Sequence, residues 1–126
     1  MISSSKGHKV PKGYYTKEGV WAKIVDGLVR VGITDYLQKQ LGEVIFVKLP
    51  RAGEFIEQFE VFSQIESLKA VCDLHSPVSG FITKVNEELE DRPDIINSSP
   101  YTAWIIEVQP IKLEEELKNL LNKDLV

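Results

Sequence analysis

The residues best able to do chemistry lie together in Ile65-Glu66-Ser67-Leu68-Lys69-Ala70-Val71-Cys72-Asp73-Leu74-His75-Ser76-Pro77-Val78-Ser79-Gly80. Lys69 separates two extended runs, so a tight connection there would push its side chain into solvent. A lysine so placed offers a modifying enzyme an amine on a long stem without unfolding its host. Spacing alone does not distinguish it from an ordinary surface lysine. Cys72 and His75, three residues apart, could form a nucleophile–base pair or half of a metal site. Both fall in an extended run, and no second Cys or His cluster exists to complete four-coordinate zinc. His8 is remote in sequence. Neither a Gly-x-Ser-x-Gly elbow nor a phosphate-binding glycine loop is present. We therefore assign no catalytic residue and no metal ligand.

The elements that must position Lys69 are mostly short strands. Val20-Trp21-Ala22-Lys23-Ile24-Val25 and Leu28-Val29-Arg30-Val31-Gly32-Ile33 flank Asp26-Gly27, a strong hairpin signal. Thr34 can cap a short helix whose Leu37 and Leu41 lie one turn apart, with Gly42 at its C-terminal end. Glu43 to Leu49 is β-rich and stops at Pro50. Extended stretches follow from Phe59 to about Ser67, from Val71 to Leu74, from Phe81 to Val85 and from Trp104 to Val108. The residues from Asn86 to Ser99 read as short helical turns and loop. Leu113, Leu117, Leu120 and Leu121 recur at helical spacing and predict a closing amphipathic helix. Glu114-Glu115-Glu116 reads as its solvated face, where negative charge suits the helix dipole. Pro77 is expected to fix a turn and Gly80 to supply backbone freedom. The predicted class is mainly β: a small sandwich or flattened barrel with helices at its margins. Residues 1–13 are expected to form a loose arm and 14–126 one domain.

Composition narrows the function classes. The 126 residues are 43% apolar and 27% charged, with a formal net charge of -4. Acidic balance argues against nucleic acid, whose phosphates need a basic surface. No apolar run approaches the roughly 20 residues of a transmembrane helix. The first residues lack the apolar centre of a signal peptide. The single cysteine cannot form an internal disulfide, which with the rest points to a reducing compartment, the cytoplasm.

Glu66-Ser67-Leu68-Lys69-Ala70, then Asp73, then Ser76-Pro77-Val78-Ser79-Gly80 resembles the lipoylation segment of glycine-cleavage H proteins. Val31 to Tyr36, Leu41 to Pro50 and Ile96-Asn97-Ser98-Ser99-Pro100-Tyr101 resemble further family segments, in the same order. Biotin carriers place methionines beside their lysine, whereas here the neighbours are Leu68 and Ala70. The resemblance implies a flattened β-barrel or barrel-sandwich hybrid with lipoic acid attached to Lys69 on a hairpin turn. It implies a non-catalytic carrier of an aminomethyl group and reducing equivalents. The partners implied are glycine decarboxylase, aminomethyltransferase, dihydrolipoyl dehydrogenase and the lipoate-attaching enzyme. Glu66 is then a recognition element for that last enzyme, against the plainer reading of a solvated acid at a strand end. Asp73 is a contact near the resting arm or a turn-stabilising aspartate.

Two segments depart from the family pattern. Alignment on Trp21 puts Gly19 and Val20 where a His-Glu pair usually stands, and that glutamate helps to lodge the amine of a loaded arm. Pro100-Tyr101-Thr102-Ala103-Trp104 is shorter than the usual Tyr-x-x-Gly-Trp. These changes leave room for two alternatives. One is an H-like lipoate-binding protein carrying sulfur or electrons in a heterodisulfide-reductase-like system. The other is an unmodified interaction module.

Overall fold

The computed structural model describes residues 13–123. Four segments open the chain: β1 (Gly13–Tyr15), β2 (Val20–Val25), β3 (Leu28–Ile33) and helix α1 (Asp35–Leu41). Next come β4 (Val44–Lys48), β5 (Phe55–Ile56), β6 (Val61–Ser67), β7 (Val71–His75) and β8 (Gly80–Val85). Two four-residue helices, α2 (Glu88–Asp91) and α3 (Ile95–Ser98), lead to β9 (Ile106–Pro110), α4 (Leu113–Leu117) and β10 (Leu121–Lys123).

The predicted β2–β3 hairpin forms because Asp26 and Gly27 both accept positive φ, 52° and 80°, as a two-residue turn between right-twisted strands requires. Thr34 is the predicted cap of α1, its hydroxyl oxygen accepting from the Leu37 amide at 3.2 Å. Gly42, at φ 80°, ends the helix by donating to the Gln38 carbonyl.

The strands make two sheets, in the orders β10-β1-β2-β3-β9-β8-β5 and β4-β6-β7. One core joins them: Val29, Val31, Ile33 and Val108 from the larger sheet pack with Val47, Ile65 and Leu74 from the smaller. Alternation along each strand, with one face apolar, is what drives two sheets together. The mainly β class stands, but the barrel does not. Among the described residues no ladder joins the two sheets, so the architecture is two sheets over a core. Among the described residues the edge strands of the larger sheet, β5 and β10, pair with neither β4 nor β7.

The C-terminal helix is the second correction. It stops after five residues, and the chain turns at Leu120 to place Leu121–Lys123 against β1. The leucine spacing matched a helix, but Leu120 is buried before the turn, and β1 offers an open row of backbone partners. The arm expected over residues 1–13 lies outside the described residues, save Gly13, which opens β1. Gly80 is corrected too. It lies inside β8, where a Cβ would strike the Gln109 carbonyl, so it supplies room for a close strand rather than freedom at a turn.

Glu116 does not share the solvated face of its neighbours. It is 6% exposed, and its carboxylate accepts from the Ser79 amide at 2.7 Å and from the Ser79 hydroxyl. Gln58 donates to its carbonyl at 3.0 Å. This residue fastens α4 to the connection between β7 and β8. Glu116→Ala leaves the buried Ser79 donors unsatisfied and should cost about 1–3 kcal/mol. The exposed Glu115→Ala should stay within about 0.5 kcal/mol of wild type. Urea unfolding of the two variants is the check.

Candidate functional site

The β6–β7 hairpin carries the candidate lysine at its tip. Its last register pair is Glu66↔Val71, leaving Ser67-Leu68-Lys69-Ala70 to reverse the chain. The Ser67 amide donates to the Ala70 carbonyl at 2.8 Å. The Ser67 hydroxyl oxygen accepts from the amides of Ala70 and Lys69 at 3.1 and 3.3 Å. A serine suits this place because its oxygen satisfies turn amides that have no strand partner.

The tip is also docked on the body of the protein. The Leu68 amide donates to the Glu43 carbonyl at 3.1 Å, tying the turn to the junction of α1 and β4. The stem of Lys69 lies beside Gly42, where an added Cβ would come within 3.3 Å of the Lys69 Cε. Asn97, from α3, fixes that junction with three bonds. Its side chain donates to the Gly42 carbonyl and the Gln38 side chain at 2.9 and 2.8 Å. It accepts from the Val44 amide at 2.9 Å. Sequence reasoning missed Asn97 as a support; its only signal was its place in a family-like segment. Lys69 itself is exposed, and no ion pair holds its amine among the described residues.

The other expected site residues lie on the same hairpin. Glu66 sits between Phe46 of β4 and Val71 of β7 in register. Asp73 stands opposite Gln64, whose amide donates to its carboxylate at 2.8 Å. That bond gives Asp73 a cross-strand role within the sheet. Cys72 and His75 do not pair with each other. The His75 Nδ1 is 3.0 Å from the Glu18 carboxylate, while the Cys72 sulfur contacts the Asp73 carbonyl. Among the described residues no three His, Cys, Asp or Glu side chains gather into a metal-binding group.

Glu18 and His75 border a cleft of about 490 Å³ that Tyr15, Phe59 and Leu121 also line. Burial, with Tyr101 nearby, pushes the Tyr15 phenol up to about 12, so it meets the cleft as a neutral hydroxyl. Phe59 holds a φ of 68°, an uncommon conformation for a bulky residue. Burial raises the Cys72 thiol, and the charges of Glu18 and Asp73 raise it further.

The comparisons agree with one another. The family described as "Glycine cleavage H-protein" matches residues 13–125. A probable glycine cleavage system H protein of Pyrococcus abyssi is 50% identical over 119 residues, 93% of this chain and 89% of its own. The glycine cleavage system H protein of Bacillus velezensis is 44% identical over 111 residues, 87% of each chain. The chain belongs to the glycine cleavage H-protein family. A solved H-protein structure from Mycobacterium marinum superposes with a TM-score of 0.76 at 39% identity, over 80% of this chain and 86% of that one. Members of the H-protein family are non-catalytic carriers of a lipoyl group on a lysine.

Measured against the family pattern, positions 19 and 20 differ for a visible reason. Gly19 has φ 108°, and a Cβ there would lie 2.8 Å from the Thr34 capping oxygen. A histidine does not fit this backbone. Val20 is fully buried, so its position faces the core rather than a bound cargo. Trp21 closes the same corner, packing on Gly32 and donating to the Pro100 carbonyl at 3.0 Å. Trp104 stacks under Arg30, 4.7 Å from the guanidinium carbon.

Cys72 reports on the charge of Glu18. Its alkylation by iodoacetamide should have a midpoint above that of a free cysteine, because burial disfavours the thiolate and the charges of Glu18 and Asp73 disfavour it further. Glu18→Gln removes one negative charge and should move the midpoint down. An unchanged midpoint would place Glu18 away from the thiol.

Proposed function

We propose that this protein is a lipoyl carrier of the glycine cleavage system, with Lys69 as the attachment site. The observation that carries the reading is an exposed lysine, in no ion pair among the described residues, on a turn whose backbone is held by Ser67 and Glu43. That arrangement fits a covalent acyl group. The amine is open to an activated acyl donor, and the turn need not change shape when an amide forms. In that step Nζ bonds to the acyl carbon, the bond to the donor's leaving group breaks, and the amine gives up a proton. A lipoyl group so attached supplies the disulfide chemistry that accepts an aminomethyl unit and passes on reducing equivalents.

What the chain contributes is position. Ser67, Glu43 and Asn97 keep the base of the arm fixed, so the swinging length is the lysine stem and the group on it. The partners are glycine decarboxylase, aminomethyltransferase and dihydrolipoyl dehydrogenase, each meeting the free end of the arm. Glu66, three residues before the lysine, serves recognition by the lipoate-attaching enzyme. Asp73 contributes cross-strand support beside the arm.

The burial of Val20 favours a second reading, in which the same arm carries sulfur or electrons. The glutamate that would hold an amine is absent there, though Glu18 brings a carboxylate to the cleft beside β7.

One experiment separates these possibilities. Intact-mass analysis of protein from its native host should show a single lipoyl increment that Lys69→Arg abolishes. Lipoylated protein incubated with glycine decarboxylase and glycine should then gain the aminomethyl mass. Unmodified native protein would sink the carrier reading. Lipoylated protein that never loads from glycine would support the sulfur or electron carrier instead.

A further inference from the structure

Residues paired directly across strands project from one face of a sheet. Register sets Lys23 of β2 beside Arg30 of β3, Arg30 beside Glu107 of β9, and Glu107 beside Lys84 of β8. This row crosses the outer face of the larger sheet, because Val29, Val31 and Val108, which alternate with it, point into the core. Glu107 is 6% exposed, and both its oxygens are used. One accepts from the Arg30 Nε at 3.3 Å and the other from the Thr83 hydroxyl at 2.9 Å. The Arg30 guanidinium also lies over the Trp104 ring. One edge and one face of it are thereby fixed, while its terminal nitrogens make no hydrogen bond among the described residues. Lys23 and Lys84 are exposed and in no ion pair among those residues.

Further along the same face the side chains turn apolar. Val25 pairs with Leu28, and Phe81 pairs with Gln109 on one side and Phe55 on the other. The Phe55 and Phe81 rings stand 5.1 Å apart, and the two residues are 43% and 49% exposed. Arginine and aromatic side chains are the anchors that protein interfaces favour. Three strand spacings, about 14 Å, separate Lys23 from Lys84, which suits the centre of an ordinary protein interface.

Charge identifies the occupant. The chain has a formal net charge of -4, so a row of three cations around one engaged carboxylate is a local reversal of sign, and its complement is acidic. Residues 1–12 hold three lysines and no carboxylate, so this face repels them. A second copy meeting the face with its own would set cations against cations. A second copy meeting it with any other surface would build an open chain of molecules. Nucleic acid would approach a protein of its own sign. An acidic surface on a different protein meets none of these objections.

We propose that the outer face of the larger sheet docks an acidic, partly apolar patch on one of the enzymes that visit the arm. This rests on the reading of Lys69 as the attachment site. The face and the Lys69 hairpin belong to different sheets, so a partner seated here leaves the turn uncovered. Holding the carrier by its body makes the meeting of arm and active centre intramolecular, at the effective concentration a short tether gives. Arg30 is the fixed anchor, Lys23 and Lys84 steer the approach, and the Phe55–Phe81 pair supplies buried area.

The test is calorimetric binding of the purified lipoylated protein to glycine decarboxylase, aminomethyltransferase and dihydrolipoyl dehydrogenase, each as holoenzyme and at two salt concentrations. Lys23→Glu with Lys84→Glu should raise Kd for at least one of them roughly tenfold and flatten its salt dependence. Phe55→Ser should raise the same Kd with the salt dependence kept. Lys118→Glu, a charge reversal beyond α4, should change neither. If the reversed variant melts early, Lys23→Gln with Lys84→Gln decides in its place. Wild-type affinity of the folded variants for all three enzymes would overturn the proposal, as would wild-type protein that binds none of them or that binds a single-stranded RNA more tightly. Intact mass keeps the two readings apart: lipoate at Lys69 with no effect of these variants leaves the carrier reading standing, and native protein without lipoate brings down both.

Discussion

A hairpin tip exposes backbone amides that no strand partner can satisfy, and a tip that must present a side chain cannot leave them to fluctuating water. Here the amides of Lys69 and Ala70 are taken by the Ser67 hydroxyl, and that of Leu68 by the Glu43 carbonyl. The second bond is the more consequential. It couples the turn to the end of α1, where Gly42 gives the lysine stem a surface without a side chain and Asn97 holds both Gly42 and Val44. Position 69 is thus fixed by the packing of a helix, two sheet strands and a distant helical turn. Such a second layer of support keeps a functional group in place while leaving the group itself free.

The larger sheet has a different task. It supplies most of the core against which β4, β6 and β7 are laid, and its corner at Trp21, Gly32 and Pro100 shapes the loop that carries Glu18 to the edge of β7. Thr34 and Leu37 at the start of α1 leave room at position 19 only for glycine, and Val20 beside it is buried in the core. The cleft beside β7 keeps a carboxylate in Glu18, but one engaged with His75.

Much of this was legible in the residues. Asp26-Gly27, Thr34 and Gly42 each impose a local geometry that tertiary contacts only confirm, so the first hairpin and α1 could be read directly. Lys69, Glu66 and Asp73 do share one hairpin, as their spacing required. What could not be read depends on partners distant in the chain. Leu113 to Leu121 has helical spacing, yet β1 lies where a strand can pair, and the pattern carries no trace of that. Glu116 looks like Glu114 and Glu115 until Ser79 is seen beneath it. Asn97 has no local reason to matter. Closure of a barrel depends on which edge strands pair with each other, which alternation does not encode. The exposure of Phe46 is not written in the run Glu43 to Leu49, because the irregularity between Val44 and Phe46 is a property of pairing.

In the proposed function, position 69 is chosen by the turn that presents it, and not by a lysine's mere presence there. The direct measurement is peptide-resolved mass spectrometry after lipoylation of wild type and of a chain with Lys69→Ala and Ala70→Lys, which shifts the amine by one residue. Lipoate is expected at Lys69 alone in the first protein and nowhere in the second. Equal lipoylation of the shifted lysine would contradict it.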